Sequence, residues 1–131
     1  MIPLRLTLLN FMCYRDKAPT LNLEGIHVAC LCGANGSGKS ALLEAIAWAL
    51  WGESRAKSDD DLVYYGQSSM EVTLDFIAQG NEYRVIRKRT RGTPRRPGTT
   101  LLELQVPSGE EHRAITGNTV RDTQRKLLEL L

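Results

Sequence analysis

Eight consecutive residues in the first half of the chain have the types and spacing needed to hold a phosphate chain. Residues 33–40 read Gly-Ala-Asn-Gly-Ser-Gly-Lys-Ser and satisfy the pattern G-x-x-x-x-G-K-[ST]. With ordinary amino-acid frequencies, a match somewhere in such a chain is expected by chance in about 4 of 1000 cases. The pattern therefore predicts a P-loop.

Each residue type in this motif has a physical role in binding a nucleoside triphosphate. Glycines lack the Cβ atom that keeps phosphate oxygens away from the backbone. Successive N–H groups then point at the β-phosphate from a loop and a helix N-terminus. We expect Lys39 to act as the catalytic cation on the β- and γ-phosphates, and Ser40 to ligate Mg²⁺. The predicted ATP-binding residues are Gly33, Ala34, Asn35, Gly36, Ser37, Gly38, Lys39, Ser40 and Ala41.

The segments on either side of the motif are those that must position it. Residues 26–31 form a short apolar run, which is typical of a buried central strand. Residues 40–51 are rich in alanine and leucine and stop at Gly52, which predicts a largely buried helix. Trp48 and Trp51 are expected to pack in the core or against a further lobe.

The start of the chain has the alternation of a strand. Residues 2–11 alternate between apolar and polar or smaller side chains, residues 14–19 are polar and turn-like, and residues 21–23 suggest a short second strand. A pair of tyrosines, Tyr64 and Tyr65, is expected to lie partly in the core.

The second half predicts an antiparallel layer. Residues 70–76 and 83–88 alternate with period two on either side of a turn at 79–81, which indicates a hairpin. A further strand is expected over 99–106, and residue 118 or 119 is expected to cap a last helix. The predicted fold class is α/β, with a mixed sheet around the P-loop helix and an added antiparallel β layer.

Basic residues are concentrated in one stretch of this layer. The chain has 17 Lys+Arg against 15 Asp+Glu, yet residues 84–96 hold seven basic residues and no acidic one. Such a stretch suits the phosphates of DNA, without sequence preference. The alternative is a solvated, mobile hairpin tip that keeps an edge strand soluble. The candidate DNA-binding residues are Arg87, Lys88, Arg89, Arg91, Arg95 and Arg96.

A P-loop alone does not hydrolyse ATP. Hydrolysis also needs a second magnesium ligand, a water-positioning group and charge stabilisation at the γ-phosphate. The nearest candidate for the magnesium aspartate is Asp75, but its strand alternates like a surface strand, so Asp75 is expected to face solvent. Gln124 is expected to face solvent from the last helix. We therefore predict nucleotide binding without turnover by this chain alone.

The cysteines and the apolar runs bear on the compartment. The sequence contains no secretory signal and no run of about 18 apolar residues. Three cysteines (Cys13, Cys30 and Cys32) give an odd count without framework spacing, which argues against a secreted disulfide scaffold. Half of a zinc site at Cys30 and Cys32 is an alternative to two small buried side chains. We expect a cytoplasmic protein with no membrane partner.

Beyond the motif, the sequence resembles the N-terminus of the SbcC family, the ATPases of the bacterial SbcCD nuclease and relatives of the SMC proteins. The resemblance is carried by Asn10-Phe11, residues 33–46 and residues 48–52, with further agreement at 58–63, 70–72 and 83–87. It covers nearly the whole chain, and residues 33–52 are its most specific part.

This resemblance implies a P-loop NTPase half-domain, one lobe of an ABC-type ATPase head that is split in sequence. Residues 1–131 are then a single N-terminal ATP-binding lobe, cut before a coiled coil and a C-terminal lobe with the signature motif and catalytic carboxylates. The implied partners are that lobe, a second head in an ATP-dependent dimer, an SbcD-type nuclease and DNA. The implied function is ATP-dependent DNA end processing in double-strand-break repair, at the nucleoid. Relatives often have a basic residue where Met12 stands, and Arg15 is the nearest alternative.

Three other functions stay open on the sequence. A self-contained P-loop NTPase, such as a small kinase or GTPase, needs a magnesium aspartate within the chain. In the nucleotide-binding domain of an ABC transporter, the position of Ala41 is commonly threonine. A nucleic-acid binder with a vestigial loop does not need Lys39 for DNA binding.

Overall fold

The computed structural model describes residues 1–12, 14–17, 20–24, 39–54 and 56–131, with the backbone alone at residues 16, 17, 39 and 40. The predicted strand at 26–31, the glycine-rich loop at 33–38, the three cysteines and Arg55 lie outside the described residues. The described strands are β1 (Ile2–Phe11), β2 (Tyr14–Lys17), β3 (Leu21–Asn22), β4 (Ser69–Ala78), β5 (Asn81–Thr90), β6 (Thr99–Ser108) and β7 (Glu111–Ala114). The helices are α1 (Lys39–Trp51), a 3₁₀ turn (Asp59–Leu62) and α2 (Val120–Leu130).

All seven described strands belong to one sheet. Its order is β2-β1-β4-β5-β6-β7, and β3 pairs with β1 on the same side as β2. Every pairing among these strands is antiparallel. The expected antiparallel layer is therefore continuous with β1 in one sheet, and the central strand expected at 26–31 lies outside the described residues.

The β4–β5 hairpin is the regular centre of this sheet. Its ten residue pairs run without a break from Ser69↔Thr90 to Ala78↔Asn81. The two-residue turn has positive φ at both positions, 51° at Gln79 and 80° at Gly80. This is the turn geometry whose twist matches paired strands, so the predicted hairpin is confirmed.

The core lies on one face of the sheet, where both helices pack. Alternate residues of β1 and β4 are buried there, including Leu6, Val72 and Leu74. The helices contribute the fully buried Trp48 and Leu127. The ring of Trp48 is 6.0 Å from that of Phe11 on β1, at an angle of 40°. The helix carrying Lys39 is thus seated directly on the sheet.

The last helix begins where the sequence predicted. Thr119 is its N-cap and accepts a hydrogen bond from the backbone N–H of Asp122 at 3.1 Å. Thr123 and Leu127 are buried on its inner face. Neither described helix is long and apolar enough to cross a bilayer.

Several local expectations were wrong. Residues 14–17 form a strand on β1 instead of a turn, and β7 was not expected. Tyr65 is 91% exposed instead of partly buried. On α1, most of the described side chains are buried, as expected, but Leu43 and Trp51 are 62% and 44% exposed. Bulk apolarity of a helix does not specify which face packs.

Candidate functional site

The helix α1 begins with the two residues predicted to handle phosphate and magnesium. Lys39 and Ser40 are its first and second residues, and Ala41, which follows, is 4% exposed. The first turn contains no acidic side chain that would oppose an anion. Because the N-terminus of a helix carries partial positive charge, this end of α1 suits a phosphate group.

The other end of α1 is closed by a left-handed glycine. Gly52 has φ of +70°, and its N–H donates to the carbonyl oxygen of Trp48 at 2.8 Å. A Cβ atom at Gly52 would lie 3.0 Å from Nη1 of Arg87. Glycine therefore meets two demands at this position, the backbone angle and the space for the arginine.

Arg87 of β5 and Gln124 of α2 form a clamp on the C-terminal end of α1. Arg87 donates from Nε and Nη2 to the carbonyl oxygen of Ala49, at 3.3 and 3.2 Å. It also donates from Nη2 to Oε1 of Gln124. Gln124 in turn donates from Nε2 to the carbonyl oxygen of Leu50 at 2.8 Å. The end of the helix is thus tied to both the sheet and α2.

This arrangement overturns two expectations. Arg87 is 4% exposed, so it does not belong to the exposed basic surface on which the sequence placed it. Gln124 is half-buried and bonded at both ends of its amide, so it does not face solvent. The physical reason is that Arg87 shares the inward parity of Val85 on β5.

The electrostatics of Arg87 reflect its burial. Desolvation lowers its pKa to about 10, against the attraction of the Asp59 carboxylate. Its guanidinium carbon lies 5.8 Å from the centre of the Trp48 ring, within the range of a cation–π contact. The negative end of the α1 dipole also favours this cation, which remains charged at neutral pH.

Two other arginines of the basic stretch hold the 3₁₀ turn in place. Arg89 donates from Nε to the Asp60 carboxylate at 2.9 Å, and the N–H of Gly92 donates to its other oxygen at 3.2 Å. Arg91 donates to the carbonyl oxygen of Val63 at 3.1 Å. The hydrogen bond from Arg89 holds the pKa of the Asp60 carboxyl below its usual range, although burial alone would raise it.

The exposed part of the basic stretch is therefore smaller than the sequence suggested. Lys88, Arg95 and Arg96 are exposed. The last two lie in a small turn, in which the N–H of Thr93 donates to the carbonyl oxygen of Arg96 at 2.8 Å. These three side chains, called here the exposed basic surface, are the candidates that remain available to a polyanion.

Asp75 was expected to face solvent, and that expectation was wrong. It is 2% exposed and accepts hydrogen bonds from Arg84 (Nε at 2.6 Å, Nη2 at 3.0 Å) and from Arg5 (Nε at 3.0 Å). Burial raises the pKa of this carboxyl, but the two arginines outweigh that effect and hold it below its usual value. Asp75 is thus the centre of an ion-pair cluster on the sheet face opposite the helices.

The end of β1 borders an open concavity. Met12, with φ of 52°, donates its N–H to the carbonyl oxygen of Leu62 at 2.7 Å, which ties β1 to the 3₁₀ turn. The concavity beside it is lined by Met12, Asp60, Asp61, Val63, Tyr65, Arg91 and Gly92. Arg15 is not among the lining residues. It is exposed on β2.

The clamp at the end of α1 was missed from the sequence, although a signal was present. Tyr83, Val85 and Arg87 occupy alternate positions of one strand, and the first two are core residues by type. An arginine that continues an apolar face is a candidate for burial with a specific partner. Its partners on α1 and α2 are far away in sequence, so no local pattern identifies them.

The chain is similar to known ATPases along most of its length. The model of the family described as "AAA domain" matches residues 5–130. The SbcC component of the nuclease SbcCD from Deinococcus radiodurans is 38% identical over 113 residues, which are 84% of this chain and 12% of that protein. The DNA double-strand break repair Rad50 ATPase of Halobacterium salinarum is 39% identical over 105 residues, 79% of this chain and 11% of that protein.

The likeness extends to three dimensions. A solved structure, described as "Structural biochemistry of ATP-driven dimerization and DNA stimulated activation of SMC ATPases", aligns with a TM-score of 0.63 at 23% identity, over 100% of this chain and 78% of that one. The predicted P-loop NTPase fold class is confirmed. The chain spans only 12% and 11% of the two curated relatives. The resemblance to an SbcC-type N-terminal lobe is also confirmed.

Proposed function

Because this chain belongs to the AAA-domain family, we propose that it is the N-terminal ATP-binding lobe of an ATPase head in DNA double-strand-break repair. In this proposal, the motif at residues 33–41 binds the nucleotide, Lys39 would contact the β- and γ-phosphates, and Ser40 would ligate Mg²⁺. When bound, Mg²⁺ neutralises charge on the phosphate oxygens.

The observation that carries this proposal is the helix α1. A phosphate-binding motif needs a helix that starts at its Lys-Ser pair and is held still. Lys39 and Ser40 are the first two residues of α1, and the other end of that helix is fixed by Trp48, Arg87 and Gln124. The residue types of Lys39 and Ser40, and a first turn without an acidic side chain, fit Mg²⁺-ATP.

The catalytic complement is proposed to lie outside residues 1–131. The buried Asp75 is neutralised by Arg5 and Arg84, so it does not serve as a magnesium ligand within this lobe. A C-terminal lobe then supplies the missing carboxylates, and two heads close on ATP as a dimer. A nuclease partner of the SbcD type and a place at the nucleoid in the cytoplasm, with no membrane partner, follow from the same proposal. The names of the two relatives, a component of the nuclease SbcCD and a "DNA double-strand break repair Rad50 ATPase", support it.

Binding and hydrolysis of Mg²⁺-ATP test the nucleotide part. We expect the chain to bind Mg²⁺-ATP in calorimetry, Lys39→Ala to lose that binding, and neither protein to turn ATP over. Lys126→Ala is the matched control, because Lys126 is an exposed lysine of α2, remote in sequence from the motif. Robust turnover by the chain alone contradicts the split head and favours a self-contained P-loop NTPase.

We further propose that the exposed basic surface contacts DNA through its phosphates. Lys88, Arg95 and Arg96 carry the contact, whereas Arg87, Arg89 and Arg91 are occupied by groups of the chain itself. Each phosphate contact contributes about −0.9 to the slope of log K against log salt. The observation that supports this surface is the exposure of its three cations without an acidic partner among the described ion pairs.

The salt dependence of DNA binding tests this surface. We expect the double variant Arg95→Ala/Arg96→Ala to weaken binding to any duplex sequence and to flatten the slope by about two. The charge-matched control is Arg113→Ala/Arg121→Ala, two exposed arginines elsewhere on the chain. Equal losses in the two double variants would assign the effect to net charge and refute the proposed surface.

A further inference from the structure

We infer that Arg87 is a positioning residue for the phosphate-binding end of α1, acting from the opposite end of the helix. This inference rests on the proposed function, because it concerns how Lys39 and Ser40 are aimed at the nucleotide. Arg87 itself touches the carbonyl oxygen of Ala49 and the amide of Gln124.

The clamp holds the C-terminal end of α1 through its last carbonyl groups. The last carbonyl groups of a helix have no partner within the helix and usually bond water or a cap. Here those of Trp48, Ala49 and Leu50 are taken by Gly52, Arg87 and Gln124, respectively. Two of the three donors belong to other elements, so the end of α1 cannot shift without breaking bonds to β5 and α2.

A displacement of the C-terminal end of α1 is transmitted to its N-terminal end, where Lys39 and Ser40 lie. The 13 residues of α1 span roughly 20 Å as a rigid rod. If the anchored end moves, a rigid helix passes the displacement on to Lys39 and Ser40 at its other end. A misplacement of about 1 Å in a binding group can cost about 100-fold in rate.

The burial of the Arg87 charge does not by itself indicate that this residue serves only to stabilise the fold. An arginine that is 4% exposed gives up its hydration, and well-packed apolar residues often replace such buried ions at no loss of stability. What an apolar side chain cannot do is bond two carbonyl-bearing elements in one orientation. A Cβ atom at Gly52 would lie 3.0 Å from Nη1, so the guanidinium fills the space beside this glycine.

The experiment compares three variants in the natural full-length product of the gene. Arg87→Met keeps the side-chain volume but removes all donors, and Arg87→Lys retains the charge and one donor group. Arg84→Met is the matched control, since Arg84 is a partly buried arginine of the same strand that points to the opposite face and bonds Asp75. The readouts are the Kd for Mg²⁺-ATP, KM and kcat, at a temperature where circular dichroism finds every variant folded.

We expect Arg87→Met to raise Kd and KM for Mg²⁺-ATP by about tenfold or more. Arg87→Lys should recover at least a third of the wild-type affinity, and Arg84→Met should leave Kd and KM within twofold. Unchanged Kd and KM in Arg87→Met, or an equal rise in Arg84→Met, would overturn the inference while leaving the proposed function intact. A wild-type protein that binds no Mg²⁺-ATP would overturn the proposed function and this inference with it.

Discussion

The ion-pair cluster at Asp75 makes a quantitative prediction about stability. In Asp75→Asn, the three hydrogen bonds from Arg5 and Arg84 lose their charged acceptor, and one oxygen is replaced by an amide that also donates. Removing one partner of a buried ion pair costs about 3–5 kcal/mol. Because the side chains of Arg5 and Arg84 are 33% and 29% exposed, water can partly resolvate them. We therefore expect a loss near 2–3 kcal/mol in the free energy of unfolding.

Urea denaturation at neutral pH measures this loss. With a urea m-value of about 2 kcal/mol/M, the midpoint should fall by roughly 1–1.5 M while m stays constant. The control is Glu82→Gln in the same cluster. Glu82 bonds Arg5 at 2.8 Å but its side chain is 37% exposed, so its removal should cost at most about 1 kcal/mol.

The pH dependence of this stability difference tests the reasoning. The pKa of Asp75 is lower in the folded protein than its ordinary value of 3.8, so the folded state binds fewer protons in acid than the unfolded chain. Its contribution is complete above that value and disappears as pH falls through the lower folded pKa. The difference in unfolding free energy between wild type and Asp75→Asn should thus be constant above about pH 5 and narrow as the pH falls below 3.8. A difference that does not narrow in acid, or a loss no larger than that of Glu82→Gln, would refute the reasoning.

Two further predictions concern the helix ends. Gly52→Ala should lower the free energy of unfolding by about 1–2 kcal/mol because of its positive φ, and by a further amount because the new Cβ displaces Arg87. Gly66→Ala is the control, since Gly66 has a φ of +87° but open space around it. The difference between the two variants in thermal unfolding measures the effect of displacing Arg87. An equal drop in Tm for both variants would exclude crowding at Gly52. Thr119→Ala should cost about 1 kcal/mol by removing the acceptor for the Asp122 N–H. Thr119→Ser should restore the stability, and a failure to do so in urea titrations would rule out the capping role.

The elements that the sequence predicted correctly are those with local signals. The helix after the P-loop motif, the β4–β5 hairpin and the Thr119 cap each follow from residues within a few positions of one another. The P-loop motif and the segment after it, residues 33–52, were also the most specific part of the family resemblance, because the spacing of the motif is rare. Interactions between residues close in sequence were sufficient to predict these elements.

The errors about buried charged and polar side chains concern residues whose partners are distant in sequence. Arg87 and Gln124 are 37 positions apart, and Arg5 and Asp75 are 70 apart. Residue type alone assigns all four to the surface, and only their tertiary partners explain why burial is tolerated. The alternation along β5 places Arg87 on the same face as Val85. It does not reveal which carbonyl oxygens of other elements that side chain will bond.

The sheet order also has a consequence for how the chain folds during synthesis. Strand β4 pairs with β5 from the turn outward, starting at Ala78 and Asn81, which are three positions apart, whereas β1 pairs with β4 across about 70 positions, as at Arg5 and Asp75. Closing the short loop costs less chain entropy, so we expect the central hairpin to fold early and β1 to join late. At about 5–20 residues per second, β1 then leaves the ribosome roughly 4–14 s before its central partner is made. During that interval the apolar face of β1, with Leu4, Leu6 and Leu8, is exposed to chaperones and to other nascent chains.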